Sequence, residues 1–468
     1  MNVLPLVKKL FPFSYSITGQ GNDNAIPQYL SELDFDVHEY ASGQSLNGWF
    51  IPHSWHVKKA KIYHENKIVY DAGLSPLGLA TLSPSYTAKL SLNELQAHLT
   101  SSKELPDAVL YQWKNLYRPR EVTWGISIPH KERIKLEDVE YRIEIETKST
   151  PSTMKVLDYL LPGESKETLV INGHNCHPFQ ANDDISGCAV AIRVMQALQK
   201  KATLKPFKYS YRLLIAPELH GPMFWLNDMN QEEQSKIKGC ILLKSVGNKA
   251  AMRLQHSYLG NQPLDAAAES AFKNKYITFE QGGFRSIYGN DETVFEAPPY
   301  NIPCISLTRW PFSEYHSDLD TPELLSEQHL QDCVDTVIDI IENYEAIDNN
   351  TLPNKNIRRN NSLFYSKEIS NDKFNQCYKI NFNGLVCLSA YGLYKSIPEV
   401  SNTGVDYNSI NGRWNKLMNC LPREIDDDMT VNDLSIKYDL PRQEIYEYLR
   451  EWVENKLLIP ANYWKRPV

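Results

Sequence analysis

A chain of 468 residues with 42% hydrophobic and 23% charged residues has ordinary globular usage, which excludes a largely disordered chain, a collagen-like chain and a coiled-coil rod. The formal net charge of −8 argues against a nucleic-acid partner, because such partners favour basic surfaces. No run approaches about 18 consecutive apolar residues, so no transmembrane helix is expected. At about 150 residues per domain, the length corresponds to roughly three domains. The start, Met1 to Tyr15, lacks the order of basic region, long apolar core and small-residue cleavage site, so no signal peptide is expected. Eight cysteines are scattered from Cys176 to Cys420 with no CxxC pair, as expected of reduced, buried thiols in a cytoplasmic protein.

In chain order, residues from about Tyr40 to Leu136 show short alternating apolar runs such as Gly48–Pro52, Ala60–Tyr63 and Lys67–Tyr70, punctuated by turns. That pattern predicts a β-rich module. Leu90–Thr100 reads as a short helix within it, capped by Ser91. From Glu140 to Tyr344 strands alternate with helices. Tyr141–Glu146 alternates, Thr168–Asn172 is continuously apolar, Ser186–Lys200 has an apolar helical face, and Tyr211–Ile215 and Cys240–Val246 are further core strands. This is the signature of an α/β domain with a mixed, mainly parallel central sheet flanked by helices. The polar stretch Glu345–Asn354 reads as a linker. Thr430 caps a helix Val431–Tyr438, Pro441 opens a second helix to about Lys456, and Leu457–Pro460 follows like a strand. Two short helices and a strand suggest a winged helix. Between Leu421 and Pro460 ten acidic residues stand against five basic ones, so this module is expected to meet protein rather than specific DNA.

Three clusters could carry chemistry. The first, Asn172–Gly187, leaves a buried strand and enters a helix with His174, His177, Asp183 and Asp184 in one loop. The carboxyl end of such a strand is where open α/β sheets place ligands, and imidazole with carboxylate suits a zinc-class ion. The bland alternative is a helix-capping aspartate beside solvated histidines. The second is Glu218 with His220, after the strand Tyr211–Ile215; a glutamate there suits a general base, or merely a helix-start carboxylate. The third is His316 with Asp318 and Asp320 just before a helical stretch Pro322–Tyr344, and Asp291–Glu292 add an acidic pair.

Together these segments resemble the zinc aminopeptidase family that includes bacterial leucyl aminopeptidases and animal glutaminyl cyclases. That family shows a strand ending in His-x-Asp, an Ala-x-Asp-Asp-x-Ser-Gly loop, a Glu-Glu pair and a late His-Thr-x-x-Asp-Thr. Here Cys176–His177, Ala181–Gly187, Glu218 and His316–Thr321 stand in the same order. The chain is more similar to a divergent bacterial branch often found with surface-polysaccharide genes. Its Cys-His-Pro, Ala-Asn-x-x-Leu-Ser-Gly, Pro-Glu-x-x-Gly, Ser-Asp-Glu and Glu-Tyr-His resemble Cys176–Pro178, Ala181–Gly187, Pro217–Gly221, Asn290–Glu292 and Glu314–His316. Ser16–Gly19 and Trp124–Gly125 also look like it.

The resemblance covers the whole chain. It implies an aminopeptidase-like α/β domain over 1–39 and 137–348, an inserted β-rich domain over 40–136 and a winged-helix-like domain over 349–468. It implies zinc held by His177, Asp183 and His316, with Glu218 as general base for the attacking water. His174, Asp184, His220, Asp291, Glu292 and Asp320 are expected to contact substrate or to support the ligands. The departures from the family pattern leave alternatives open. Phe179 replaces the orienting aspartate if His177 is the first ligand, and Cys176 replaces it if His174 is. Leu219 replaces the second glutamate, normally a metal ligand, and Asn248 sits near the expected place of another metal aspartate. One ion per chain is therefore expected, with a second left open. The reading is a cytoplasmic metal-dependent hydrolase of an amide or peptide bond, with a peptide or amide-bearing small molecule as substrate. Two alternatives are a hydrolase or acyl transferase on an amide-bearing sugar, and a non-catalytic binding protein on a degenerate peptidase scaffold. A homo-oligomer or a protein partner through the C-terminal domain stays open, and no membrane contact is expected.

Overall fold

The structure is a computed structural model, and it describes residues 2–347, 373–395, 409–425 and 429–461. Its centre is an eight-stranded mixed sheet. Strand order is Asp36–Ala41, Thr153–Leu161, Ser210–Ala216, Thr168–His174, Ile237–Lys244, Cys304–Thr308, Arg253–Gln255 and Glu280–Gly282. The four strands from Ser210–Ala216 to Cys304–Thr308 run parallel, with His174 beside Ala216 and Lys244 beside Thr308. Their carboxyl ends therefore share one edge of the sheet. All seven residues of Thr168–His174 are buried, which explains why Leu169, Val170 and Ile171 follow one another without polar alternation.

One face of the sheet is covered by the helices Ser186–Ala202, Pro263–Lys275 and Glu327–Ala346. The last buries Leu330, Cys333, Val334, Val337, Ile340, Ile341 and Tyr344, a stripe at three- and four-residue spacing. Ser326 caps it by accepting from the His329 amide. The other face is covered by the helix His220–Asp228, by Trp49 and Ile51, and by Cys387 from the C-terminal part. Of the expected linker, Glu345 and Ala346 finish the Glu327–Ala346 helix, and 348–354 lie outside the described residues.

A second, four-stranded antiparallel sheet has the order Lys67–Asp71, Ser54–His64, Glu140–Thr150 and Tyr86–Ser91. It encloses a core that includes Ala60, Ile62, Ile143, Ile145, Trp124 and Ile126. The strand at Tyr141–Glu146, read from sequence with the α/β part, belongs to this sheet. It buries only alternate residues, the pattern of a one-sided antiparallel strand, whereas the central parallel strands are buried on both faces. The helix expected over Leu90–Thr100 is shorter, Leu92–Gln96, with Ser91 in a capping box. Leu99–Thr100 instead pairs with Ile126–Ser127.

The C-terminal residues form helices Ile410–Glu424, Val431–Tyr438 and Arg442–Glu454, and an antiparallel ribbon of Cys377–Ile380 with Leu458–Ala461. Thr430 caps Val431–Tyr438 through a capping box, and Pro441 precedes Arg442–Glu454. Their core includes Trp414, Leu417, Leu434, Ile445, Leu449 and Trp452.

Candidate active site

Each parallel strand delivers a polar residue to the same edge of the sheet. Thr168–His174 ends in His174 and continues through His177 into the irregular turn Ala181–Ile185. Ser210–Ala216 leads to Glu218, Ile237–Lys244 ends in Lys244, and Cys304–Thr308 leads to His316. Phe179, Leu219, Ser245 and His316 all adopt φ between +52° and +59°, a region that side chains with a Cβ enter only when the surroundings hold them there. Backbone strain thus gathers around this edge.

His177, Asp183 and His316 each offer a ligand atom, and those atoms lie within 4.8 Å of one another. Asp183 Oδ2 is 3.6 Å from His177 Nε2 and 3.4 Å from His316 Nε2. His177 Nε2 and Asp183 Oδ2 are buried and make no hydrogen bond. Buried polar atoms without a partner are costly, and a divalent ion would satisfy them together. Two imidazoles and a carboxylate suit zinc, and His316, 18% exposed, leaves the cluster open toward solvent. The residues present fit a zinc-class ion.

Electrostatics keep these groups in ligand form. Burial opposes the charge of Asp183, but the Lys244 ammonium and the surrounding histidines outweigh it and hold the carboxyl well below the usual range. Burial lowers His316 to about 4, so its imidazole is neutral at neutral pH. His177 turns its Nδ1 to the Pro178 carbonyl at 2.9 Å, which leaves Nε2 to face Asp183. Tyr111 stacks on the His177 ring at 4.4 Å and meets the His316 ring edge-on at 5.2 Å. Tyr315 stacks on His316 at 3.7 Å.

His174 faces the other oxygen of Asp183, its Nε2 lying 3.4 Å from Oδ1, whereas His177 and His316 face Oδ2. The His174 Nε2 lies 2.8 Å from Lys244 Nζ and 3.3 Å from Asn290 Nδ2, both donors, so Nε2 is the acceptor and the proton sits on Nδ1, 3.7 Å from Cys176 Sγ. Lys244, 1% exposed, also lies 2.6 Å from Asp183 Oδ1 and 3.8 Å from Glu218 Oε1. Glu218 accepts from Asn290 Nδ2 and from the Tyr117 hydroxyl. Burial opposes its ionisation, yet the Lys244 ammonium brings it below the usual glutamate value, so it is a carboxylate at neutral pH.

The remaining residues singled out from sequence hold backbone rather than facing the cluster. Asp184 accepts from the amides of His174, Gly187 and Ser245, tying two strand ends to the helix start. Asp320 accepts from the amides of Asn182 and Asp183 at 2.7 and 3.0 Å. Asp291 accepts from the Leu219 amide and from Asn172, and burial pushes its carboxyl up to about 7. Glu292 accepts from the Asn290 amide, and burial raises it too. His220, lowered to about 4 by burial, turns Nδ1 to the Glu218 carbonyl and packs on Trp49. Asn248, expected near a ligand position, instead donates to the Arg309 carbonyl. The polar residue at that strand's end is Lys244. Lys244, Asn290, Tyr111, Tyr117 and Tyr315 were not foreseen as site residues. A lysine closing the apolar run Ile241–Leu243 was the one signal for Lys244, and nothing local marks Tyr111.

The cluster opens on a cleft of about 410 Å³. Trp113, Tyr117 and Arg118 wall one side, Tyr288 and Gly289 another, and Tyr394 of the C-terminal part a third. Ser389 donates to the Tyr117 carbonyl, and the Cys387 amide donates to the Asn47 carbonyl, so the C-terminal part closes against the rest of the chain at the cleft.

A family profile described as a domain of unknown function, DUF4910, matches residues 4–349. The chain belongs to the DUF4910 family. The matched span holds His177, Asp183, Glu218, Lys244 and His316. The chain is 27% identical over 354 residues to a Clostridium acetobutylicum protein named for polysaccharide biosynthesis and an aminopeptidase-like domain, covering 75% of this chain and 79% of that one. Its fold is similar to the crystal structure of a Clostridium acetobutylicum protein named as a peptidase, with TM-score 0.64, 22% identity, and 98% and 96% of the two chains covered. It is also similar to a zinc aminopeptidase from Bacillus subtilis, with TM-score 0.56, 14% identity, and 75% and 96% covered. The fold of this DUF4910 chain is thus that of zinc aminopeptidases, with the mainly parallel central sheet read from the sequence.

Proposed function

We propose that this protein is a metal-dependent hydrolase that cleaves an amide or peptide bond with water. The observation that carries the reading is the meeting of His177, Asp183 and His316 beside an ionised Glu218 at the carboxyl edge of the parallel strands. His177, Asp183 and His316 would hold one zinc-class ion. Bound there, such an ion polarises the scissile carbonyl and acidifies water. Glu218 is the general base: its carboxylate takes a proton from the attacking water and returns it to the leaving amine. Tyr117 and Asn290 hold Glu218 in place. Proton transfer of this kind is typically worth about 10²- to 10⁴-fold in rate.

A peptide or amide-bearing small molecule is the substrate class that fits the cleft. An amide-bearing sugar is the second reading. The exposed Trp113 in the cleft wall offers an aromatic surface for a sugar ring, and the name of the Clostridium relative points to polysaccharide. The eight cysteines are all free and buried, which supports a reducing, cytoplasmic compartment. Among the described residues no helix is long and apolar enough to cross a membrane. The C-terminal helices and ribbon are read as a winged-helix-like module that meets protein rather than specific DNA.

Glu218→Gln is the test. The amide keeps the size of the side chain but cannot take the proton. Full zinc content, a native circular dichroism spectrum and turnover lowered at least about 100-fold on an aminoacyl and N-acyl-sugar library are expected. Wild-type turnover in the variant would remove Glu218 from the chemistry, and depleted zinc would make it a ligand instead.

A further inference from the structure

The ammonium of Lys244 lies inside a donor set that a metal ion would otherwise claim. Nζ is 2.8 Å from His174 Nε2, 2.6 Å from Asp183 Oδ1 and 3.8 Å from Glu218 Oε1. An imidazole nitrogen and two carboxylate oxygens around one point are ordinary ligands of a divalent ion. Lys244 is 1% exposed and reaches this point from the end of a buried strand, so it has no path to leave as a surface lysine would. The faces of Tyr288 and Tyr315 lie 4.7 and 5.9 Å from Nζ and close it in. Asp183 is divided between two tasks. Its Oδ1 faces Lys244 at 2.6 Å and His174 Nε2 at 3.4 Å, and its Oδ2 faces His177 and His316.

We propose that Lys244 is a built-in cation that occupies the place of a second metal ion and so restricts the centre to one ion at His177, Asp183 and His316. The proposal rests on the reading of those three residues as the ligands. The ammonium takes up the lone pair of His174 and one oxygen of Asp183, which removes both from the ligand pool. It also supplies a fixed positive charge beside Glu218 where a second ion would supply an exchangeable one. Leu219, next to Glu218, adds no ligand atom to compete for the position.

Metal counting tests this without reference to activity. Apo-protein is incubated with excess zinc, desalted and analysed for zinc and protein, with circular dichroism to confirm the fold. One zinc per wild-type chain is expected. Lys244→Asp removes the ammonium and adds a carboxylate, so two zinc per chain are expected. The double variant Lys244→Asp/His174→Ala is expected to fall back to one. Two zinc in the wild type, or one zinc in a folded Lys244→Asp, would overturn the proposal. A wild-type chain that holds no zinc would overturn the ligand reading beneath it. Anomalous diffraction from wild-type crystals soaked in zinc serves if Lys244→Asp does not fold. One peak at His177, Asp183 and His316 is expected, and a peak ligated by His174 Nε2 would overturn the proposal.

Discussion

The ring of Tyr111 lies 4.4 Å from that of His177 and nearly parallel to it, although the two residues belong to different sheets' surroundings. The segment carrying Tyr111 is tied to the His316 loop. The Tyr111 amide donates to the His316 carbonyl at 2.7 Å, and the Val109 amide donates to Asp318 Oδ1 at 2.9 Å. One segment between the strands Tyr86–Ser91 and Glu140–Thr150 therefore packs on the rings of both His177 and His316. Tyr111→Ala is expected to weaken zinc binding about 10- to 100-fold, the usual effect of losing a group that orients a ligand. Tyr111→Phe keeps the stack and should bind zinc like the wild type. Competition titration against a chromophoric chelator measures both, and equal affinities for the alanine variant and the wild type would show the stack to be idle.

The ligand set makes a sharper statement. Single alanine variants at His177, Asp183 and His316 should each lose most of the bound zinc, because each leaves only two protein ligands. His174→Ala should retain it, since His174 Nε2 is engaged by Lys244. Elemental analysis of the four purified variants decides the matter. Zinc retained in His177→Ala and lost in His174→Ala would move the first ligand to His174.

Gly187 tests the loop that presents Asp183. A Cβ at this position would lie 2.4 and 2.5 Å from the two carboxylate oxygens of Asp184, which is fully buried and holds three backbone amides. Asp184 has no room to retreat. Gly187→Ala is expected to cost about 1–3 kcal/mol, the range of overpacking, and to lower zinc occupancy with it. Urea unfolding of the two proteins gives the difference, and a variant as stable as the wild type would show that the loop can relax.

Glu296 gives a pH prediction away from the ligands. Burial pushes its carboxyl from 4.5 up to about 7, while it accepts from the amides of Tyr258 and Cys304. The folded state thus holds the proton more tightly than the unfolded state. Its contribution to stability is complete below the unfolded value and is lost as pH rises through about 7. Glu296→Gln has no proton to lose, so its stability relative to the wild type should rise between about pH 5 and pH 8, by at most about 3 kcal/mol. Urea unfolding at several pH values measures the difference, and a pH-independent offset would contradict the shift.

Much of the central sheet was legible in the sequence because its signals are local. The short apolar runs within Thr168–Asn172, Tyr211–Ile215 and Cys240–Val246 suit strands buried on both faces. Chain order alone then brings His177, Asp183, Glu218 and His316 to strand ends on one edge, because parallel strands place every carboxyl end together. The same locality misassigned Tyr141–Glu146: alternation marks a strand but does not say which sheet it joins.

What each polar side chain faces was settled only by contacts between distant parts of the chain. His174 and His177 are three residues apart and indistinguishable by composition. They differ in the oxygen of Asp183 that they face and in Lys244, about seventy positions away, which lies 2.8 Å from Nε2 of His174. Asp291 and Glu292 look like site acids in sequence, and the structure turns them to the amides of Leu219 and Asn290, a facing that no local signal gives. Tyr111 carries no local mark at all. Periodicity and residue type report what a segment must bury, and long-range packing decides which buried groups meet.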